Sequence, residues 1–166
     1  MNLKISQLSQ ESWLRFKTIR LKGLLEDPLA FGGSYEEELH FDEAQWREFT
    51  SNIWFALIDD RIVGMIGLVK DINSSNGQLI SFWVEPSYRR KGIGKALVFA
   101  IQEYARNNSM EKLFLFVTVT QETSIRLYEK MGFVKKASYK DRISKGGSSY
   151  DQYYLEWNPG ISDDSL

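Results

Sequence analysis

Hydrophobic positions along this chain follow two periods, and the switches between them mark out the elements. Leu3, Ile5 and Leu8, separated by polar residues, predict a short first strand. From about Ser12 to Glu26 the spacing becomes helical, with Leu14, Leu21 and Leu25 on one stripe, Trp13 and Phe16 beside it, and Asp27-Pro28 as the stop. Gly32-Gly33 forms a joint, and Ser34 followed three residues later by Glu37 has capping-box spacing. A second helix is expected over Asp42–Thr50, burying Trp46 and Phe49.

At Ile53 the pattern turns to strands. Ile53–Ile58 and Ile62–Val69 are apolar runs joined by Asp59-Asp60-Arg61, which predicts a hairpin. Gly64 and Gly67 inside the second run mark a bulge or a close approach. Ser74-Ser75-Asn76-Gly77 reads as a turn into a strand over Gln78–Val84. Ile93, Ala96, Leu97, Ala100, Ile101, Tyr104 and Ala105 then repeat at helical spacing up to Asn107-Asn108. Leu113–Val119 is a further apolar strand, and a helix over about Gln121–Met131 ends at Gly132. Phe133–Arg142 and Ser149–Trp157 form the last hairpin across Lys145–Ser148. A strand, a crossover helix and another strand imply parallel pairing at the centre of the sheet. The expected fold is α/β (α+β): one domain over residues 1–157, a mixed sheet of about seven strands with helices on both faces. Residues 158–166, with Pro159, Gly160 and acidic residues, are expected to be a flexible tail.

The stretch from Trp83 to Leu97 carries the candidate chemistry. Pro86 closes a strand, a basic turn with two glycines follows, and a helix begins. The first turn of a helix has unpaired N–H groups and partial positive charge, which suits an anion. Gly92 and Gly94 leave room for ligand oxygens, and Arg89, Arg90, Lys91 and Lys95 add charge. Two adjacent phosphates fit such a site. A Walker loop would need Ser or Thr after Gly94-Lys95, where Ala96 stands, and a dinucleotide fingerprint would need glycine at Leu97.

Composition narrows the ligand. The 21 basic and 22 acidic residues leave a net charge of -1, so the basic cluster is local and suits a small anion better than nucleic acid or an anionic membrane. With no cysteine and a single histidine, His40, thiolate chemistry and histidine-rich metal sites are excluded, and no metal is expected. No apolar run reaches membrane-spanning length and no signal pattern opens the chain, so the cytoplasm is the default location. The acidic run Glu36-Glu37-Glu38 would suit a cationic amine; acidic residues also favour a helix N-terminus for its dipole.

The pattern Arg89-x-x-Gly92-x-Gly94 after Val84-x-Pro86 resembles the coenzyme A pyrophosphate loop of the GNAT acetyltransferase superfamily. Ser124-Ile125-Arg126-Leu127-Tyr128-Glu129-Lys130-Met131-Gly132-Phe133 is similar to a second segment of that family, Ala-x-x-Leu-Tyr-x-x-x-Gly-Phe. Gly32–Glu38 also resembles a Phe-Gly-rich, acidic segment of some bacterial members. The resemblance is dense from Ile53 to Phe133. It implies acetyl-CoA as cosubstrate, held by Trp83, Val84, Arg89, Arg90, Lys91, Gly92, Ile93, Gly94, Lys95, Gln121 and Ser124, in a splay between the two central parallel strands. Gln121 stands where Asn is usual, and Ser124 where Ala is usual.

The same resemblance implies that Tyr128 protonates the departing CoA thiolate, a transfer that a phenol can make to a nascent thiolate once water is excluded. The expected reaction is acetyl transfer to a primary amine of a small molecule or peptide, by direct attack in a ternary complex, in a monomer or homodimer. Glu85, at the end of the key strand, is the first choice for the base, with Glu37, Glu38, Ser81 and His40 as lesser ones. Phe31, Tyr35 and Glu37 are candidates for the acceptor pocket, although core packing explains the aromatic residues equally well. Two other readings stay open: a non-catalytic module of the same fold that binds CoA esters, and an unrelated phosphate-binding domain.

Overall fold

A computed structural model describes residues Met1–Gly160. The expected tail falls mainly beyond them. Seven strands, β1 (Leu3–Gln7), β2 (Ile53–Ile58), β3 (Arg61–Lys70), β4 (Asn76–Val84), β5 (Lys112–Thr118), β6 (Val134–Lys145) and β7 (Ser148–Trp157), lie in the order β1-β2-β3-β4-β5-β7-β6. The helices are α1 (Trp13–Glu26), α2 (Tyr35–Glu38), α3 (Glu43–Thr50), α4 (Ile93–Asn107) and α5 (Glu122–Lys130). β4 and β5 pair in parallel, through Asn76–Gln78 and Lys112–Phe114, as the crossover helix requires. The other recorded pairings, β1 with β2, β2 with β3, β5 with β7 and β6 with β7, are antiparallel.

The chain forms two compact units. The first comprises Met1–Gly67 and Ile80–Leu97. Its core joins Phe16, Ile19 and Leu24 of α1 and Trp46 of α3 to Ile53, Phe55, Met65 and Trp83 of the sheet. Aromatic edges lock it: Phe16 meets Trp46, Phe49 and Phe55 edge-on, with centroids 5.6, 4.8 and 5.8 Å apart. Met65 faces this core, while its neighbour Gly64 lies against Leu97 of α4, so helices cover both faces of β3 here. The register of β2 on β3 skips Val63, opposite Ala56 and Leu57, which is the bulge that Gly64 announces.

Helix α1 corrects the expected stripe. Its buried residues are Phe16, Ile19, Arg20, Gly23 and Leu24, whereas Leu14 and Leu25 are 58% and 62% exposed. A charged residue and a glycine thus sit on the core face, and two leucines face outward. The α3 helix starts with a full capping box, Asp42 accepting from Gln45 N–H and the Gln45 side chain accepting from Asp42 N–H.

The second unit comprises, among the described residues, Leu68–Leu79 and Val98–Gly160. Leu113, Leu115 and Val117 of β5, with Leu155 and Trp157 of β7, are buried along with Val98 and Ile101 of α4. The buried Gln102 of α4 donates to the Met131 carbonyl at 2.8 Å and so satisfies the C-terminal end of α5. Gly132 has φ +95, the left-handed terminator expected there. Gly146 and Gly147, with φ +58 and +82, form the β6–β7 turn. Asn76 and Gly77, expected in a turn, belong to β4, and a Cβ at Gly77 would fall 2.6 Å from Leu68 and Met110.

A Cβ at Gly67 would lie 2.8 Å from both Ile53 and Ile80. Gly67→Ala is expected to cost about 1–3 kcal/mol through overpacking, read as a fall in the thermal unfolding midpoint. A midpoint equal to that of the wild type would show that these residues are not so closely opposed.

Candidate active site

The site grows from β4, and a break in its alternation shapes it. Ile80 packs on Gly67 and Ile53, on the α1 side of the sheet, and Trp83, three residues later, lies in the same core cluster. Residues an odd number apart in a regular strand face opposite sides. Ser81 resolves the conflict: its φ of +59 puts a left-handed turn inside the strand. After the turn Val84 faces the other side, where its side chain and the Trp83 carbonyl lie against Gly64. Trp83 is 2% exposed, and its indole N–H has no hydrogen-bond partner among the described residues.

Beyond Val84, Pro86–Tyr88 forms a 3-10 turn and the basic loop follows. Arg89 folds back, its Nε donating to the Val84 carbonyl at 2.9 Å, so it braces the strand end. Arg90 has φ +62 and Gly92 φ +79, and at Gly92 no atom lies within 4 Å of the place a Cβ would fill. That gap is what close approach of a phosphate needs. Ile93 is buried and opens α4, Gly94 is its second residue, and the Gly92 carbonyl accepts the first intrahelical bond from Ala96 N–H at 3.1 Å. The N–H groups of the first turn have no intrahelical partner. Arg90, Lys91 and Lys95 are exposed around them.

Glu85 is 6% exposed and doubly paired. Its Oε1 accepts from Lys22 Nζ at 2.7 Å and from Arg61 Nη2 at 3.0 Å. The hydrogen bond to Glu85 holds Lys22 above its usual range. A cleft of about 400 Å³ opens here, lined by Arg15, Thr18, Ile19, Lys22, Arg61 and Glu85 among others. Glu85 Oε2 is left with a longer bond, 3.3 Å, from Arg61 Nη2.

Of the residues expected to line an acceptor pocket, Phe31 is 3% exposed within the core of the first unit, Tyr35 is half-buried against that core, and Glu37 is exposed, its backbone N–H donating to Ser34 Oγ at 3.3 Å. Glu38, one residue on, is buried. Its carboxylate accepts from Arg20 Nε and Nη2 at 2.8 and 2.9 Å, and Arg20 Nη1 donates to Ser81 Oγ at 2.7 Å. Arg20 was not legible as a site residue; its only signal was a cation beside Ile19 and Gly23 on a helix. His40 is exposed.

Tyr128, Gln121 and Ser124 belong to the second unit. Gln121 is the N-cap residue of α5, its carbonyl accepting from Ile125 N–H at 3.0 Å, and Ser124 is half-buried in the first turn. Tyr128 is 5% exposed with its ring 5.7 Å from that of Phe133. Burial pushes its phenol well above the usual range. Among the described residues no three His, Asp or Glu side chains gather as metal ligands, and no helix is long and apolar enough to cross a membrane.

The profile of the Acetyltransferase (GNAT) family matches residues 19–133. N-acetyltransferase 8 of Homo sapiens is 32% identical over 89 residues, 51% of this chain and 39% of that protein. An N-alpha-acetyltransferase of Saccharolobus solfataricus is 30% identical over 115 residues, 63% of this chain and 69% of that protein. The match to the first of these thus spans about two fifths of the relative's length. Among solved structures, a putative acetyltransferase from Salmonella typhimurium with its cofactor acetyl-CoA superposes with a TM-score of 0.83 at 15% identity, over 98% of this chain and 96% of that one. A phosphinothricin acetyltransferase from Sinorhizobium meliloti, in complex with acetyl-CoA, gives 0.77 at 18% identity, over 100% and 98%.

Because its phenol is held neutral, Tyr128 should not contribute to the tyrosine titration near pH 10. Wild type and Tyr128→Phe are expected to show the same rise in phenolate absorbance around pH 10, roughly the ordinary tyrosine value. A rise smaller by one tyrosine in the variant would show that Tyr128 ionises like an exposed phenol.

Proposed function

The chain belongs to the Acetyltransferase (GNAT) family, and from that premise we propose that it transfers an acetyl group from acetyl-CoA to a primary amine of a small molecule or peptide. The observation that carries this reading is the loop from Val84 to Lys95. There a strand end, an open glycine with φ +79 and the first turn of α4 lie within one short basic segment. The pyrophosphate would lie on the N–H groups of that first turn, with Arg90, Lys91 and Lys95 supplying charge. Arg89 keeps its bond to Val84 and contributes through its remaining guanidinium N–H groups. The pantetheine arm would run along β4 from Val84 towards Ser81, with Gln121 and Ser124 as further contacts.

In the proposed step the amine nitrogen attacks the thioester carbon, and the carbonyl oxygen takes the negative charge. A backbone N–H near Val84 stabilises that oxyanion, an effect of about 2.7–4 kcal/mol in comparable sites. The C–S bond then breaks, and the sulfur leaves as thiolate. Tyr128, kept protonated by burial, donates towards the sulfur as charge develops there. The amine must shed two protons overall, one before attack and one as the amide forms. The first passes to Glu85, where one of its cations is displaced, or to water, and the second replaces the proton that Tyr128 has given to the sulfur. On the acceptor side we place Phe31, Tyr35 and Glu37, where an exposed carboxylate favours a cationic substrate. The relative named N-alpha-acetyltransferase supports an amine as the acceptor class.

Release of CoA across a panel of amines tests this, read with a thiol-reactive dye, which meets no cysteine in this chain. Wild type is expected to release CoA with at least one amine, and Tyr128→Phe to lower kcat about a hundredfold with little change in acetyl-CoA affinity. A folded protein that binds acetyl-CoA but releases none with any amine would favour a non-catalytic binding module. Equal rates in wild type and variant would remove Tyr128 from the step.

A further inference from the structure

Arg20 is buried to 5% exposure, and its side chain is held on every side. Two N–H groups donate to Glu38, a third donates to Ser81, and the guanidinium lies 4.6 Å from the Phe31 ring centre and 5.0 Å from that of Phe49. Space for the Glu38 carboxylate exists because residue 33 is glycine: a Cβ there would overlap Glu38 Oε2. Two segments distant in sequence, the 31–38 loop and the middle of β4, are therefore tied to one cation. The point at which it grips β4 is Ser81, a non-glycine residue in the left-handed region. Backbone held in such a region persists only when its surroundings over-determine it, and its natural use is at a working site.

We propose that Arg20 and Glu38 are a positioning pair for acetyl transfer, resting on the acetyltransferase reading above. They hold Ser81 in its left-handed turn, and so set the backbone of Phe82–Val84 where the thioester oxygen is received. The pair touches no reacting atom; it acts through the strand. The same ion pair anchors the loop that carries Phe31, Tyr35 and Glu37, so the acceptor side and the oxyanion donor share one reference point. A buried pair of this kind is weak as a source of stability but well suited to fixing geometry.

Removing Arg20 or Glu38 alone would strand a buried charge and could unfold the protein, so the test uses Ser81. Ser81→Ala deletes the bond to Arg20 and leaves an alanine in the left-handed region. Ser81→Gly also deletes the bond, but glycine adopts that backbone freely. For Ser81→Ala we expect kcat to fall about ten- to a hundredfold, with the acetyl-CoA dissociation constant within about threefold of wild type. Ser81→Gly should recover most of the lost kcat, and the amide resonances of Phe82–Val84 should move in the alanine variant and return in the glycine one. Wild-type kcat in Ser81→Ala, or equal losses in both variants, would overturn the proposal, the second by assigning the role to the hydroxyl itself. A wild type that releases no CoA would instead sink the acetyltransferase reading, and the amide resonances, which need no activity, would then decide whether the pair holds the strand.

Discussion

The geometry of this protein depends on one left-handed residue inside a strand. β4 has to set both Ile80, against Gly67, and the buried Trp83 on the face covered by α1, and it has to end in a loop that opens a helix. A regular strand cannot do the first, because three residues reverse the face. Ser81, at φ +59, supplies the missing half-turn, and the chain then continues with Val84 on the opposite side. A left-handed conformation at a residue with a Cβ is unfavourable by about 1–2 kcal/mol. The hydrogen bond from Arg20 at 2.7 Å lies where it can offset that cost.

Charge is arranged in two tiers around this strand. Buried groups are paired: Arg20 with Glu38, and Glu85 with Lys22 and Arg61. Arg20 and Lys22 join α1 to Glu38 and Glu85, Arg61 reaches Glu85 from β3, and little uncompensated charge is left inside. Exposed cations are left to the loop at residues 90–95, where no acidic residue stands within the segment. An anion placed there would meet helix N–H groups and exposed ammonium and guanidinium groups without having to break a buried bond. The separation also leaves Glu85, at the end of β4, held between Lys22 and Arg61.

Much of the fold was legible because its signals were local. The β2–β3 hairpin, α4 and the final hairpin follow from apolar runs and turn residues, and Gly132 ends α5 with φ +95 as its type suggests. The glycine loop between β4 and α4 was legible for the same reason, since strand end, glycines and helix start are contiguous. The face of α1 was not. Leu14 and Leu25 outweigh Arg20 and Gly23 in any hydrophobic pattern, yet the core selected the second pair, for the ion partner and the space that other segments provide. Glu38 was hidden in the same way: three consecutive glutamates look alike until a partner from α1 buries one of them. Ser81 carries no local sign of its backbone, because the need for it arises from what lies on the two faces of the sheet.

Calorimetric titration with acetyl-CoA, with ATP and NAD as controls on the same folded sample, tests the central claim most directly. Saturable one-site binding of acetyl-CoA, with ATP and NAD much weaker and Gly94→Asp impairing it at the first turn of α4, is the predicted result. No binding, or equal binding of all three ligands by a protein shown to be folded, would contradict it.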